Sequence, residues 1–198
     1  MKYTLLFILT LFSMVCFAQN KSKIFSISYG LGNGDITDYS TKKVGRMSSE
    51  EGKSLQVFGL NYFDEVSKNL FIETGLSLLK HNYTLTSWKM SPSGFTSSLS
   101  EQSVKSLVIP LKLRFEFGKY FFLNGGLMAD ISLDKIQDDM RDISGIGFGL
   151  GLGLQYYHRN KIGIFVNPQI NAHSLLGFGS STGILERNVT LGLAYRIN

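Results

Sequence analysis

Residues 104–133 read VKSLVIPLKLRFEFGKYFFLNGGLMADISL, and their alternation decides the fold. Leu107, Ile109, Leu111, Leu113, Phe115 and Phe117 fall on one parity, against Ser106, Val108, Pro110, Lys112, Arg114 and Glu116. After Gly118-Lys119 the pattern resumes, with Phe121, Leu123, Leu127, Ala129, Ile131 and Leu133 opposing Asn124, Gly126, Asp130 and Ser132. A period of two over this length predicts two long strands joined by a tight turn. One face is almost wholly large and apolar; the other carries charge and glycine. Such a hairpin needs a cover for its apolar face, and a lipid bilayer supplies one.

The same alternation recurs on both sides of this hairpin. Residues 24–32 (IFSISYGLG) set Phe25, Ile27, Tyr29 and Leu31 against Ser26, Ser28, Gly30 and Gly32. Strands follow over 55–63, where Leu55, Val57 and Phe63 share a face with Gly59 and Asn61, and over 70–83, where Leu70, Ile72, Leu76 and Leu78 oppose Glu73, Gly75 and Ser77. Beyond the hairpin, Gly145, Gly147, Gly149, Gly151 and Gly153 alternate with Ile146, Phe148, Leu150, Leu152 and Leu154. Residues 162–172 and 188–197 complete a set of eight strands. The polar stretches 33–53, 84–103, 134–144 and 174–186 read as long loops, and 64–69, 118–119 and 158–161 as short turns.

An even strand number, strands of about ten residues and alternating long and short connections fit an antiparallel up-and-down transmembrane β-barrel. The short turns belong on the periplasmic side and the long loops outside, with both termini periplasmic. Tyr62, Phe63, Phe71, Phe117, Tyr120, Phe121, Tyr156 and Tyr157 cluster beside the short turns, where an interfacial girdle lies. A soluble lipocalin-like barrel shares the alternation but requires a bulky polar exterior. Five successive alternate glycines instead suit the crowded lumen of an eight-stranded barrel. That lumen is expected to hold Glu73, Lys112, Arg114, Glu116, Asp130 and Arg196, whose opposite signs can pair. Pro110 and Pro168 each remove a ladder hydrogen bond and call for a bulge or a strand end.

Composition agrees. The 198 residues are 43% hydrophobic, with 21 glycines, 15 phenylalanines, nine tyrosines and three prolines, and form one domain. The net charge of +5 is scattered rather than striped, which excludes a nucleic-acid groove. Residues 1–18 read as a cleaved signal peptide: Lys2, an apolar run from Tyr3 to Val15, then Cys16-Phe17-Ala18 before Gln19. The mature chain, 19–198, is expected to lack cysteine, and so disulfides and thiolate metal sites. The localisation expected is the outer membrane of a Gram-negative cell. The partners expected are its lipid and lipopolysaccharide, the assembly machinery for barrels and a protein partner at the outer loops.

The segments SLVIPLKLRFEFGKYFFLNGGLMADI, ISGIGFGLGLGLQYY and VTLGLAYRI, in that order, resemble the PorT-like family of outer-membrane β-barrel proteins. Its members carry a leader, an "IPLxLKxxF" strand, a "DxGxxxGxGxxF" strand and a terminal "LGLxYxF". This chain departs from the pattern at Ile197-Asn198, where a terminal phenylalanine is typical. The resemblance implies a small eight-stranded barrel without assigned catalysis, in a family whose founder is linked to secretion of proteins across the outer membrane.

No catalytic, cofactor or metal site is expected. The glycine runs follow strand spacing with no helix after them, unlike a dinucleotide loop. His81, His158 and His173 lie in three separate places and read as surface histidines. A lipid A-modifying enzyme using His173, Ser174 and Glu186 is the principal enzymatic alternative. Adjacent residues on a strand point to opposite faces, which would separate nucleophile from base. A narrow pore is a third reading. The expectation is a non-enzymatic barrel, structural or partner-binding through residues 33–53 and 84–103.

Overall fold

The computed structural model describes residues 22–38, 48–91, 94–133, 144–159, 161–177 and 182–197. The segment expected to be a signal peptide, most of the loop expected at 134–144 and Asn198 lie outside the described residues. Eight antiparallel strands close into a barrel: β1 (Lys23–Asp38), β2 (Ser48–Ser67), β3 (Leu70–Ser91), β4 (Gly94–Phe117), β5 (Phe121–Ser132), β6 (Gly145–His158), β7 (Ile162–Gly177) and β8 (Thr182–Ile197). Each strand pairs with its sequence neighbours, and β1 pairs with β8 from Lys23 opposite Ile197 to Asp38 opposite Thr182. No edge is left on the closed cylinder, so the backbone is satisfied within it, as a bilayer demands.

The period-two pattern maps onto two faces as expected. Outward-facing Leu111, Leu113, Leu123, Leu127, Leu150, Leu152, Leu191 and Leu193 are each about half exposed, whereas Lys112, Arg114, Asn124 and Asp130 are buried inside. This is the reverse of a soluble barrel. Along β4 the apolar band runs from Phe117 to Leu107, and along β8 from Ile197 to Val189, lengths that match a tilted bilayer crossing. The girdle is smaller than the sequence suggests. Tyr62, Phe117, Tyr120, Phe121 and Tyr156 face out or lie at the rim, but Phe63 and Phe71 are buried in the lumen and Tyr157 packs against them. Their parity is that of Glu73 and Gln155, which already assigns them inward.

In three stretches expected as loops, the described residues are strand. β1 continues through Asp38, β2 begins at Ser48, and β3 and β4 remain paired from Asn82 opposite Ser103 to Ser91 opposite Gly94. β7 reaches Gly177 and β8 begins at Thr182. The pairing of β1 with β2 stops at Gly32 opposite Leu55, and that of β4 with β5 at Ser106 opposite Ser132. Beyond those points β2, β3 and β4 continue as a three-stranded sheet standing past the barrel. Beside it, Leu133 N–H donates to the carbonyl oxygen of Lys105 at 2.9 Å and His81 Nε2 lies 2.9 Å from the carbonyl oxygen of Gly34, without a further described ladder along its outer edges.

The prolines are accommodated by neither a bulge nor a strand end. Between β3 and β4 the ladder passes from Thr74 opposite Leu111 to Ser77 opposite Val108 with unchanged register, leaving the step at Pro110 unpaired. Between β6 and β7 it passes from Gly151 opposite Gln169 to Leu154 opposite Val166, again skipping the proline step at Pro168. On their other sides Pro110 opposes Met128 and Pro168 opposes Val189, so each proline turns its missing N–H toward the gap.

Candidate functional site

The lumen is filled in three tiers. Nearest the short turns, Arg114 and Arg196 flank Glu116: Arg196 Nη2 donates to both carboxylate oxygens at 2.9 and 2.7 Å, and Arg114 Nη2 lies 3.4 Å from one of them. Arg114 also donates to Gln155. Its guanidinium sits 3.8 Å above the centre of Phe122, and that of Arg196 lies 4.2 Å above Tyr157. Stacking and pairing together make burial of two guanidinium groups tolerable.

The glycines of β6 make this packing possible. A Cβ on Gly153 would lie 2.1 Å from the tip of Phe122, and one on Gly151 would meet the side-chain oxygens of Asn124 and Asn167 at 2.5 and 2.7 Å. The crowded-lumen reading of the glycine face therefore holds. In the middle tier Asn124 donates to Glu73 at 3.2 Å and Asn167 to Asn124 at 3.3 Å, while Lys112 donates to Gln169 and Asn171 at 3.2 and 3.3 Å. The cavity left among these groups is about 60 Å³, room for a few waters.

The third tier, toward the long connections, contains what sequence reasoning missed. His173 is buried, with Nδ1 2.8 Å from Asp130 Oδ1 and Nε2 2.6 Å from Glu186 Oε2. One imidazole thus joins carboxylates from β5 and β8. The Glu186 carboxylate also accepts from Asn171 at 3.2 Å and from Asn188. His81 is wholly buried as well, with Nε2 2.9 Å from the carbonyl oxygen of Gly34. Of the three histidines only His158 is exposed, so the surface reading is corrected for the other two. Their lumen parity was the available signal: His81 continues Glu73, Gly75 and Ser77, and His173 continues Asn167, Gln169 and Asn171.

Ser174 also departs from expectation. It has φ +52° and lies buried beside His173 instead of on the opposite face. The β6–β7 register shifts here: Phe148 opposes Ala172, whereas Ile146 opposes Leu176. The excess residues form a bulge, and Ser174 N donates to Asp130 Oδ2 at 2.9 Å. Asp130 therefore holds the histidine with one oxygen and the bulged backbone with the other. His173, Ser174 and Glu186 do come together, but both ring nitrogens of His173 already face carboxylate oxygens. Neither is placed to accept a proton from the serine, as nucleophilic catalysis requires. Among the described residues no group of His, Cys, Asp and Glu has the geometry of a metal site.

With the closed barrel and its inverted polarity established, the chain matches the outer membrane protein beta-barrel domain family over residues 4–196. It belongs to that family. It is an integral outer-membrane β-barrel protein. Among solved structures it is similar to OprG of Pseudomonas aeruginosa, at 14% identity and TM-score 0.52, covering 90% of this chain and 96% of OprG. It is also similar to Ail, the attachment invasion locus protein of Yersinia pestis, solved with the heparin analogue sucrose octasulfate. There the identity is 15% and the TM-score 0.50, covering 90% of this chain and 100% of Ail. At these identities the likeness concerns the fold. No curated protein matches the sequence.

Proposed function

We propose that this outer-membrane barrel is a non-enzymatic, PorT-like protein that works through the sheet it raises beyond the membrane, as a structural or partner-binding element accessory to protein secretion. In this reading residues 1–18 are removed as a signal peptide and the barrel-assembly machinery inserts residues 19–198. Both termini then lie in the periplasm and the β2–β3–β4 sheet lies outside. Short turns at one end and long strand extensions at the other support that orientation.

The observation that carries the proposal is a filled lumen combined with a long projecting sheet. A lumen filled by paired side chains around a cavity of about 60 Å³ supports a role outside the barrel rather than transport through it. A sheet carried on a closed barrel is a rigid platform of the kind on which binding surfaces are commonly built. Its β4 strand, residues 96–103, is exposed along its whole length, with Leu99 at 73%. The occupied ring of His173 favours a structural role for that cluster over a catalytic one.

The test replaces residues 84–103 by an Asn-Gly turn. The shortened protein should reach the outer membrane, keep a boiling-dependent gel shift and show near-zero single-channel conductance, while secretion across the outer membrane falls. Undiminished secretion by cells carrying an intact shortened barrel would remove the proposal. A lipid A acylation profile altered by deletion of the gene would overturn its non-enzymatic part.

A further inference from the structure

The sheet that stands past the barrel has two outer edges, and they are built differently. On β2 the edge carries exposed Glu51 and Lys53 and is broken by a bulge between Gly52 and Ser54. It also lies against β1, where a Cβ on Gly52 would sit 1.6 Å from the carbonyl oxygen of Gly34. Charge, bulges and cover are the devices that keep an edge from pairing with a foreign strand. On β4 the described residues show no such guard. Residues 96–103, TSSLSEQS, are exposed, contain neither lysine nor proline, and pair with β3 in unbroken register. Their one charge, Glu101, lies 2.5 Å from Lys53 and is neutralised from across the sheet.

Two backbone bonds fix which way this edge points. Glu116 N–H donates to the carbonyl oxygen of Asn69 at 2.8 Å, toward β3, and the carbonyl oxygen of Lys105 accepts from Leu133 N–H at 2.9 Å on the opposite side. In an antiparallel ladder the N–H and C=O of one residue point the same way, and successive residues alternate. Even-numbered residues of β4 therefore bond β3, whereas the peptide groups of Ser97, Leu99, Glu101 and Ser103 point out of the sheet. Among the described residues no ladder meets those groups, since the pairing with β5 ends at Ser106 opposite Ser132. They present donors and acceptors in a row with a repeat of about 6.8 Å. An extended backbone is the partner that matches both kinds of group at that spacing. Leu99, 73% exposed, stands in the middle of the row between Ser97 and Glu101.

We propose that the outer edge of β4, residues 97–103, captures an extended segment of a partner polypeptide by strand addition. The segment it fits is uncharged, rich in threonine, serine and β-branched residues, with an apolar side chain opposite Leu99. A second copy in the same membrane does not fit. Antiparallel pairing of two β4 edges would set the two barrels at opposite ends of one joint sheet, which a single bilayer cannot hold. The inference rests on the reading of the projecting sheet as a partner surface given under Proposed function. Strand capture in detergent depends on neither secretion nor orientation, so the two fail separately: capture without a secretion defect unseats that reading, and a secretion defect without capture unseats this one.

The test uses the full barrel in neutral detergent and a fluorescent heptapeptide of alternating threonine and valine, read by anisotropy and by amide hydrogen exchange. Binding should saturate, and the amides of Leu99 and Glu101 should become protected, while those of Ser98 and Ser100, already bonded to β3, should not change. Ser97→Pro/Leu99→Pro removes two edge donors and leaves the β3 ladder intact, because proline is tolerated where its nitrogen faces out of an edge strand. That variant should keep the boiling-dependent gel shift and lose peptide affinity by roughly tenfold or more. Leu99→Thr retains the N–H and should keep most of the affinity. The absence of saturable binding, or equal affinity in the folded proline variant, would overturn the proposal. A dimer of the parent that the proline variant dissociates would assign the edge to a second copy and overturn it as well.

Discussion

Removing His173 tests whether the third tier of the lumen holds the barrel together. The imidazole contacts Asp130 at 2.8 Å and Glu186 at 2.6 Å, and all three side chains are buried. Replacing it by leucine leaves two carboxylates facing each other without their shared donor. Amide and backbone N–H groups from Asn171, Asn188 and Ser174 still reach them, but among the described residues no charge of opposite sign does. Breaking a buried ionic group by deleting one member costs about 3–5 kcal/mol. Against a typical total stability of about 5–15 kcal/mol this is a large fraction. Neutralising the whole set should undo much of the loss, because the penalty comes from stranded charge. The triple variant Asp130→Asn/His173→Leu/Glu186→Gln should therefore be at least about 2 kcal/mol more stable than His173→Leu alone. The assay is urea unfolding of the refolded protein in vesicles, followed by the fraction that keeps the fast-migrating band without boiling. A loss under about 1 kcal/mol in the single variant, or a triple variant no better than the single, would refute the assignment.

Leu111 lies midway along the apolar band of β4 and is 59% exposed to lipid; Leu111→Arg should cost about 2–4 kcal/mol in the same urea titration, and a near-neutral result would mean that the faces are inverted. Gly153→Ala should cost about 1–3 kcal/mol, because the new methyl meets the Phe122 ring at 2.1 Å while that ring is held by Arg114 and Phe165. A stability equal to the parent's would show that Phe122 can move aside.

The sequence reveals the barrel because lipid imposes a pattern on it. Within the bilayer every second residue must be apolar, so the central part of each strand is legible from hydropathy alone. Beyond the band both faces of a strand meet water and the alternation fades. Residues 96–103, TSSLSEQS, then look like a loop, although serine and threonine pair well enough in a ladder. The strand ends at Asp38 and Ser91 lie beyond the reach of hydropathy for that reason. The prolines show a different limit. Hydropathy marks Pro110 and Pro168 as strand residues, but only the register shows that a gap of two residue pairs in one ladder absorbs each missing donor without a shift of register.

The buried histidines mark where parity carries an argument and where it stops. Extending the inward series of β3 to His81, of β7 to His173 and of β8 from Asn188 to Glu186 would have placed all three in the lumen. The observed contacts follow from that placement, since carboxylates from β5 and β8 are what an inward imidazole on β7 can reach. Ser174 breaks the rule. Its φ of +52° turns the chain so that two consecutive side chains are buried, and no local residue pattern announces it. The cause is long-range: Asp130, forty-four residues earlier, accepts the backbone N–H that the bulge releases from the ladder. The same carboxylate that orients His173 thus stabilises the irregularity beside it. Bulge and cluster form one unit, so a substitution at Asp130 should disturb both.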